Sequence, residues 1–115
     1  MEEIKLNIHV KSLADIKGNV TNVINGTDGK RFLNKEYIDL VFKIDYPLDP
    51  KKPLEVIIPK AKSIADILVP IARAYKTIIY KYPETYGVWG HCIEDLYFEG
   101  IVIKDDNTTE LHLGS

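Results

Sequence analysis

One long apolar stripe at helical spacing, in the middle of the sequence, most constrains the fold of this chain. Apolar side chains recur every three or four residues over positions 64–82, so they share one face of a helix. Ser63 followed by Asp66 matches a capping box with Asp in place of the usual Glu, which gives the helix a defined start. Pro83 cannot continue a helix. The sequence therefore predicts one helix from about residue 63 to residue 82.

Pro70 lies inside this predicted helix, where it removes a backbone N–H donor. The helical period places Pro70 on the solvent side, and a bend there curves a helix around the core. Two shorter helices that meet at Pro70 are the alternative interpretation.

Alternation of apolar and polar residues predicts strands on both sides of the helix. These segments are residues 4–11, 37–46, 54–58, 96–104 and 110–113. In the second segment the predicted inward face consists of Ile38, Leu40, Phe42, Ile44 and Tyr46.

Three residues within or beside these strands add detail. Pro59 is expected to end the third strand, and Gly100 predicts a bulge in the fourth. His9 is expected to point away from the apolar face of the first strand. Because strands do not alternate with helices along the chain, a parallel sheet is not expected. The sequence predicts a single α+β domain over residues 1–115, with a mostly antiparallel sheet of about five or six strands. One long helix packs on one face, in the order strands, helix, hairpin.

Charge and composition exclude several classes of function. The 15 basic and 17 acidic residues give a formal net charge of −2, which disfavours bulk binding of nucleic acid. Cys92 is the only cysteine, so neither an internal disulfide nor a thiolate zinc site is expected. No apolar run is long enough to span a membrane, and the first residues lack the pattern of a signal peptide. We expect a cytoplasmic protein that uses no metal and no cofactor.

Residues 80–95 carry the strongest functional signal. This segment contains the only Trp, the only Cys and several Tyr residues around two glycines. Aromatic rings with a polar atom provide a large contact area at low entropic cost, which suits recognition. The predicted binding residues are Tyr82, Tyr86, Trp89, His91 and Asp95. The competing interpretation is that this loop covers one end of the core.

Catalysis is the second hypothesis for the same segment. His91 and Cys92 are adjacent and point to opposite sides of an extended chain, so they do not form a nucleophile and base pair by themselves. A helical turn would instead bring His91 near Glu94 or Asp95, and a carboxylate can fix the imidazole tautomer for acid and base chemistry.

Three functions follow from these patterns. The leading hypothesis is a non-enzymatic binding module, of an inhibitor, immunity or sensor type, that recognises a protein or small ligand through the aromatic loop. The second is a small hydrolase or isomerase that uses His91 with Asp95 or Glu94. The third is a structural subunit that forms a homo-oligomer through an exposed sheet edge or face.

Overall fold

The computed structural model describes residues 1–15, 32–44, 54–82, 84 and 93–114. Tyr46 and Pro83 therefore lie outside the described residues. In chain order the elements are β1 (Glu2–His9), α1 (Val10–Ala14), β2 (Phe32–Ile44), β3 (Leu54–Ser63), α2 (Ile64–Lys81), a 3₁₀ helix (Ile93–Asp95), β4 (Tyr97–Ile103) and β5 (Thr109–Gly114).

The α+β class with antiparallel strands and one main helix is confirmed, whereas the single sheet is wrong. The described residues form five strands in two antiparallel sheets, with the orders β1-β4-β5 and β2-β3. The predicted order also omitted α1, which follows β1 directly. Strand β5 lies beside β2, and the Thr109 hydroxyl donates to the Val41 carbonyl, but no ladder joins the two sheets. Alternation specifies which face of a strand is buried and does not specify its neighbour.

Helix α2 begins where the capping box predicts. The Ser63 hydroxyl oxygen accepts from the Asp66 N–H at 3.3 Å, and the Asp66 carboxylate accepts from the Ser63 N–H at 3.1 Å. The helix continues without interruption through Pro70, which is exposed, so the two-helix alternative is wrong. Tyr82 is the residue at its C-terminal cap. No helix among the described residues is long and apolar enough to cross a membrane.

The core lies between α2 and the inner faces of both sheets. The inward residues of α2 are Ile64, Ala65, Ile67, Leu68, Val69, Ile71, Ala72, Tyr75 and Ile78. They share one buried cluster with residues of both sheets, among which Phe42 and Phe98 are fully buried. Full burial of one such aromatic or aliphatic side chain contributes about 1.5–3 kcal/mol, so this cluster is the main source of stability.

Strand β2 departs from the predicted alternation at its centre. Ile38 was expected to point inward, yet it is 54% exposed, and Tyr37 is buried instead. Asp39 has a φ of 52°, which lies in the left-handed region. Two consecutive residues, Ile38 and Asp39, therefore face outward between the buried residues Tyr37 and Leu40. The alternation of apolar and polar residues does not predict this local change of backbone conformation.

Strand β3 continues past Pro59, contrary to the prediction that it ends there. The register pairs Ile38 with Lys60 and Leu40 with Ile58, which leaves Pro59 opposite Asp39. In the part of the chain that the structure describes, β3 has one paired edge. A proline is tolerated in such a strand because its missing N–H then costs no ladder bond.

The predicted hairpin after α2 is confirmed as β4 and β5. The pairing of β4 with β1 shifts register between Lys5 and Ile8, and its pairing with β5 shifts between Phe98 and Gly100. Both irregularities lie near Gly100, as expected for a bulge. A Cβ on Gly100 would lie 3.2 Å from the Ile4 carbonyl oxygen, so this site favours glycine.

Glu2 is the exception to an apolar interior. It is 5% exposed and is the one buried charged residue among those described. Its carboxylate accepts from the Tyr37 hydroxyl at 2.9 Å and from the Asn34 N–H at 3.1 Å. Burial, together with the hydrogen bond to Glu2, raises the pKa of Tyr37 to about 12. These bonds fasten the start of β1 to the first half of β2.

Candidate functional site

Three of the five predicted site residues, Tyr86, Trp89 and His91, lie outside the described residues. Their role in binding therefore stays a prediction, as does the pairing of His91 with a carboxylate. The structure describes Tyr82 and Asp95, which lie near the two ends of the segment 80–95. Tyr82 is 50% exposed at the end of α2, and Asp95 is exposed at the end of the 3₁₀ helix.

An open cleft lies beside the 3₁₀ helix that ends at Asp95. Its volume is about 360 Å³, and it is lined by His9, Lys11, Ser12, Asp15 and Glu94. These residues come from the end of β1, from α1 and the residue after it, and from the 3₁₀ helix. A cleft of this size falls at the lower end of the range for ligand sites. It is the candidate functional site of the described residues.

The walls of the cleft are fixed by apolar contacts beneath it. Helix α1 buries Val10, Leu13 and Ala14 and leaves Lys11 and Ser12 toward solvent. The Val10 N–H donates to the Leu96 carbonyl at 3.0 Å, which holds α1 against the chain that follows the 3₁₀ helix. A helix of five residues is not stable alone, so tertiary packing positions the polar side chains of the cleft.

Alternating charges connect three elements across the cleft. The Lys76 ammonium of α2 donates to Asp15 at 2.8 Å. The Lys11 ammonium lies 3.5 Å from Asp15 and 3.8 Å from Glu94. Exposed ion pairs contribute little to stability, so the consequence of this network is the alternation of positive and negative charge that it presents at the cleft.

The same network sets the charge states in the cleft. The hydrogen bond from Lys76 lowers the pKa of Asp15, and the charges of Lys76 and Lys11 lower it further. Desolvation acts in the opposite direction and is outweighed. The charge of Asp15, its hydrogen bond and the charge of Glu94 raise the pKa of Lys11, and Tyr80 adds to that shift. Both groups are therefore ionised at neutral pH.

Two polar groups of the cleft remain available to a ligand. The His9 ring packs against the Tyr97 ring, with centroids 4.2 Å apart and an angle of 41° between the planes. Neither the His9 imidazole nor the Ser12 hydroxyl makes a hydrogen bond to the residues that the structure describes. The exposed ring of Tyr80 lies close enough to influence Lys11.

Two observations concern acid and base chemistry and metal binding at the cleft. The Asp15 carboxylate is engaged by two ammonium groups, and within residues 1–15 and the other described segments no carboxylate orients His9 through a hydrogen bond. In that same set of residues no three His, Cys, Asp or Glu side chains are grouped so that they could hold a metal ion. The residues that line the cleft provide hydrogen-bond donors, hydrogen-bond acceptors and the aromatic ring of His9.

Sequence reasoning named Glu94 and placed His9 away from the apolar face, but it missed the cleft. Lys11, Ser12 and Asp15 lie where strand alternation gives way to helical spacing. The available signal was the spacing of Val10, Leu13 and Ala14, which indicates a short helix. Because Val10 also fits the preceding alternation, the transition was assigned to the strand.

Comparison with models of protein families, with curated proteins and with solved structures finds no match to this chain.

Proposed function

We propose that this chain is a non-enzymatic binding domain that recognises a partner protein through the cleft and the aromatic segment of residues 80–95. The observation that carries the proposal is the open cleft in which His9 and Ser12 are exposed and make no hydrogen bond to the described residues, while Lys11, Asp15 and Glu94 beside them form ion pairs. The buried residues of α1 position the backbone that carries these groups, and a surface that is formed before binding loses less entropy when the partner arrives.

A protein partner fits this surface better than a small molecule. The cleft is open, and the exposed rings of Tyr80 and Tyr82 lie on the last turn and at the cap of α2. Tyrosine is enriched among the residues that dominate protein interfaces, since its ring and hydroxyl bind apolar and polar groups together. The cleft has room for one or two side chains of a partner.

The proposal assigns Tyr86, Trp89 and His91 to the same binding surface. The chain leaves α2 at Tyr82 and returns at Ile93, directly before the Glu94 that lines the cleft. On this proposal, aromatic residues between these two points of the sequence add contact area and no catalytic group is required.

Site-specific photo-crosslinking in the source cell tests the proposal. A photoreactive phenylalanine analogue replaces Ser12 inside the cleft, and a matched variant carries it at Glu110 on β5, at the end of β4 remote from His9. We expect a discrete crosslinked partner from position 12 and none from position 110. Partner crosslinks from position 110 alone would contradict the proposal.

Alanine substitutions test the contribution of the aromatic segment. Tyr86→Ala combined with Trp89→Ala should abolish the crosslink from position 12 and leave the far-UV circular dichroism spectrum unchanged. Loss of the folded spectrum would instead assign these two rings to the core. Lys11→Glu reverses one charge of the cleft without removing a buried side chain, and it should also abolish the crosslink.

A further inference from the structure

The outer face of the β2 and β3 hairpin carries an apolar patch that α2 does not cover. Ile38, Val41 and Ile57 are 54%, 42% and 60% exposed. Val41 and Ile57 are cross-strand partners, and Pro59 is exposed between the level of Ile57 and that of Ile38. We call this surface the hairpin face. Exposed apolar residues grouped on one sheet face indicate an interaction site.

The charges at the two ends of the hairpin face form a self-complementary pattern. At one end Lys43 of β2 is the register partner of Glu55 of β3. At the other end Glu36 of β2 lies 3.4 Å from both Lys60 and Lys62 of β3. One end therefore has a basic residue on β2 and an acidic residue on β3, and the other end has an acidic residue on β2 and two basic residues on β3.

A two-fold axis that runs parallel to the strands, in the plane between two facing hairpins, brings opposite charges together at both ends of the hairpin face. The operation places β2 of one copy over β3 of the other at the same level. Val41 then faces the second copy's Ile57, and Lys43 faces its Glu55. At the other end Glu36 faces the second copy's Lys60 and Lys62. Val41 thus meets an apolar group, and the charges at both ends meet their opposites, as an isologous interface requires. Between the ends, Ile38 lies over the second copy's Lys60 and Asp39 lies over its Pro59.

Two other modes of association fit less well. On the outer face of the β1-β4-β5 sheet, Val102 is only 8% exposed and lies between its register partners Glu3 and Glu110, so this face offers little apolar area and a two-fold would bring these carboxylates together. The outer edge of β3 is interrupted by Pro59 and carries lysines at positions 60 and 62, which disfavour pairing of strands edge to edge.

We propose that a second copy of this chain covers the hairpin face, forming a two-fold dimer in which two β2-β3 sheets pack face to face. Aligned packing of two sheets is a common arrangement in proteins, with the outer side chains of each sheet interleaved. This interface uses none of the residues of the cleft, so it stands or falls independently of the proposed binding function.

Sedimentation velocity of the full chain, over a concentration range from about 1 µM to about 500 µM, tests the dimer. We expect the wild type to reach the dimer mass within this range. Ile57→Asp should raise the dissociation constant at least about tenfold, because it introduces a charge into the centre of the patch. A wild type that stays monomeric throughout, or an Ile57→Asp variant that dimerises like the wild type, overturns the proposal.

A charge exchange tests the alignment of the two copies. Lys43→Glu alone places two carboxylates opposite each other and should weaken dimerisation. Adding Glu55→Lys restores opposite charges across this two-fold axis and should recover the wild-type dissociation constant. Failure of the double variant to recover dimerisation, with an unchanged circular dichroism spectrum, overturns the proposed alignment. Glu110→Lys on β5 is the matched control and should leave dimerisation unchanged.

Discussion

Replacing Tyr37 by Phe should destabilise the protein through a single lost hydrogen bond. The Phe ring fills the space of the Tyr ring, so no cavity forms. The buried Glu2 carboxylate loses the hydroxyl that donates at 2.9 Å and retains the Asn34 N–H. A hydrogen bond to a charged group contributes about 1.5–3 kcal/mol, and we expect a loss of about 2 kcal/mol.

The expected loss corresponds to a fall of about 8 °C in Tm, at about 4 °C per kcal/mol for a domain of this size. Urea unfolding at pH 7, followed by circular dichroism, measures the free energy of unfolding directly. Tyr82→Phe is the matched control, since it removes a hydroxyl from a half-exposed ring and should change stability by less than about 0.5 kcal/mol.

A double-mutant cycle assigns the effect to the carboxylate. Glu2→Gln removes the charge that the Tyr37 hydroxyl stabilises, so Tyr37→Phe should cost about 1 kcal/mol less in that background than in the wild type. Equal losses in both backgrounds would show that the negative charge of Glu2 does not strengthen this hydrogen bond, since the Gln amide oxygen can still accept it. A loss below about 0.5 kcal/mol in the wild type would refute the reasoning about this buried bond altogether.

Three further predictions concern the backbone and the response to pH. Ser63→Ala removes the side-chain half of the capping box and should lower the free energy of unfolding by about 1 kcal/mol in urea titrations. Asp39→Gly should be tolerated or stabilising, whereas Asp39→Val should cost at least about 1–2 kcal/mol, because the φ of 52° is unfavourable for a β-branched residue. The pKa of Tyr37 is about 12 in the folded protein and 10.0 ordinarily. Its contribution to stability is therefore complete below pH 10 and is lost as the pH rises from 10 to 12, a loss that Tyr37→Phe should remove in alkaline thermal melts.

Helix α2 was predictable from sequence because its determinants are local. The capping box joins residues three positions apart, and the apolar stripe repeats within a turn or two. Pro70 was placed correctly on the exposed side for the same reason. The hairpin of β4 and β5 was equally local, because a short turn joins its strands.

The division into two sheets was not predictable from sequence, because it depends on contacts between distant segments. Strand β1 pairs with β4, which lies on the other side of α2 in the chain. With a positive φ at Asp39, Ile38 is exposed and Tyr37 is buried, the reverse of the expected burial. The pairing of β2 with β3, which places Pro59 opposite Asp39, accommodates this change. The alternation of apolar and polar residues within one strand does not indicate which strands pair with it.

The cleft escaped prediction because its polar groups are ordinary surface residues in the sequence. Lys11, Asp15 and Glu94 become a site only when α1 and the 3₁₀ helix pack together through Val10 and Leu96. The predicted aromatic segment precedes this 3₁₀ helix in the sequence, and its role in binding stays a prediction.

The two proposed surfaces use different elements, and this separation yields a final prediction. The cleft is built from β1, α1 and the 3₁₀ helix, whereas the hairpin face is built from β2 and β3. A dimer through the hairpin face would leave both clefts open and would bind two partner sites at once, which strengthens capture without a new contact. The Ile57→Asp variant should therefore remain folded and still crosslink a partner from position 12, but retain it less well on a surface with many partner copies. If Ile57→Asp eliminates the crosslink as well, the hairpin face contributes to the partner site itself and the two surfaces are not independent.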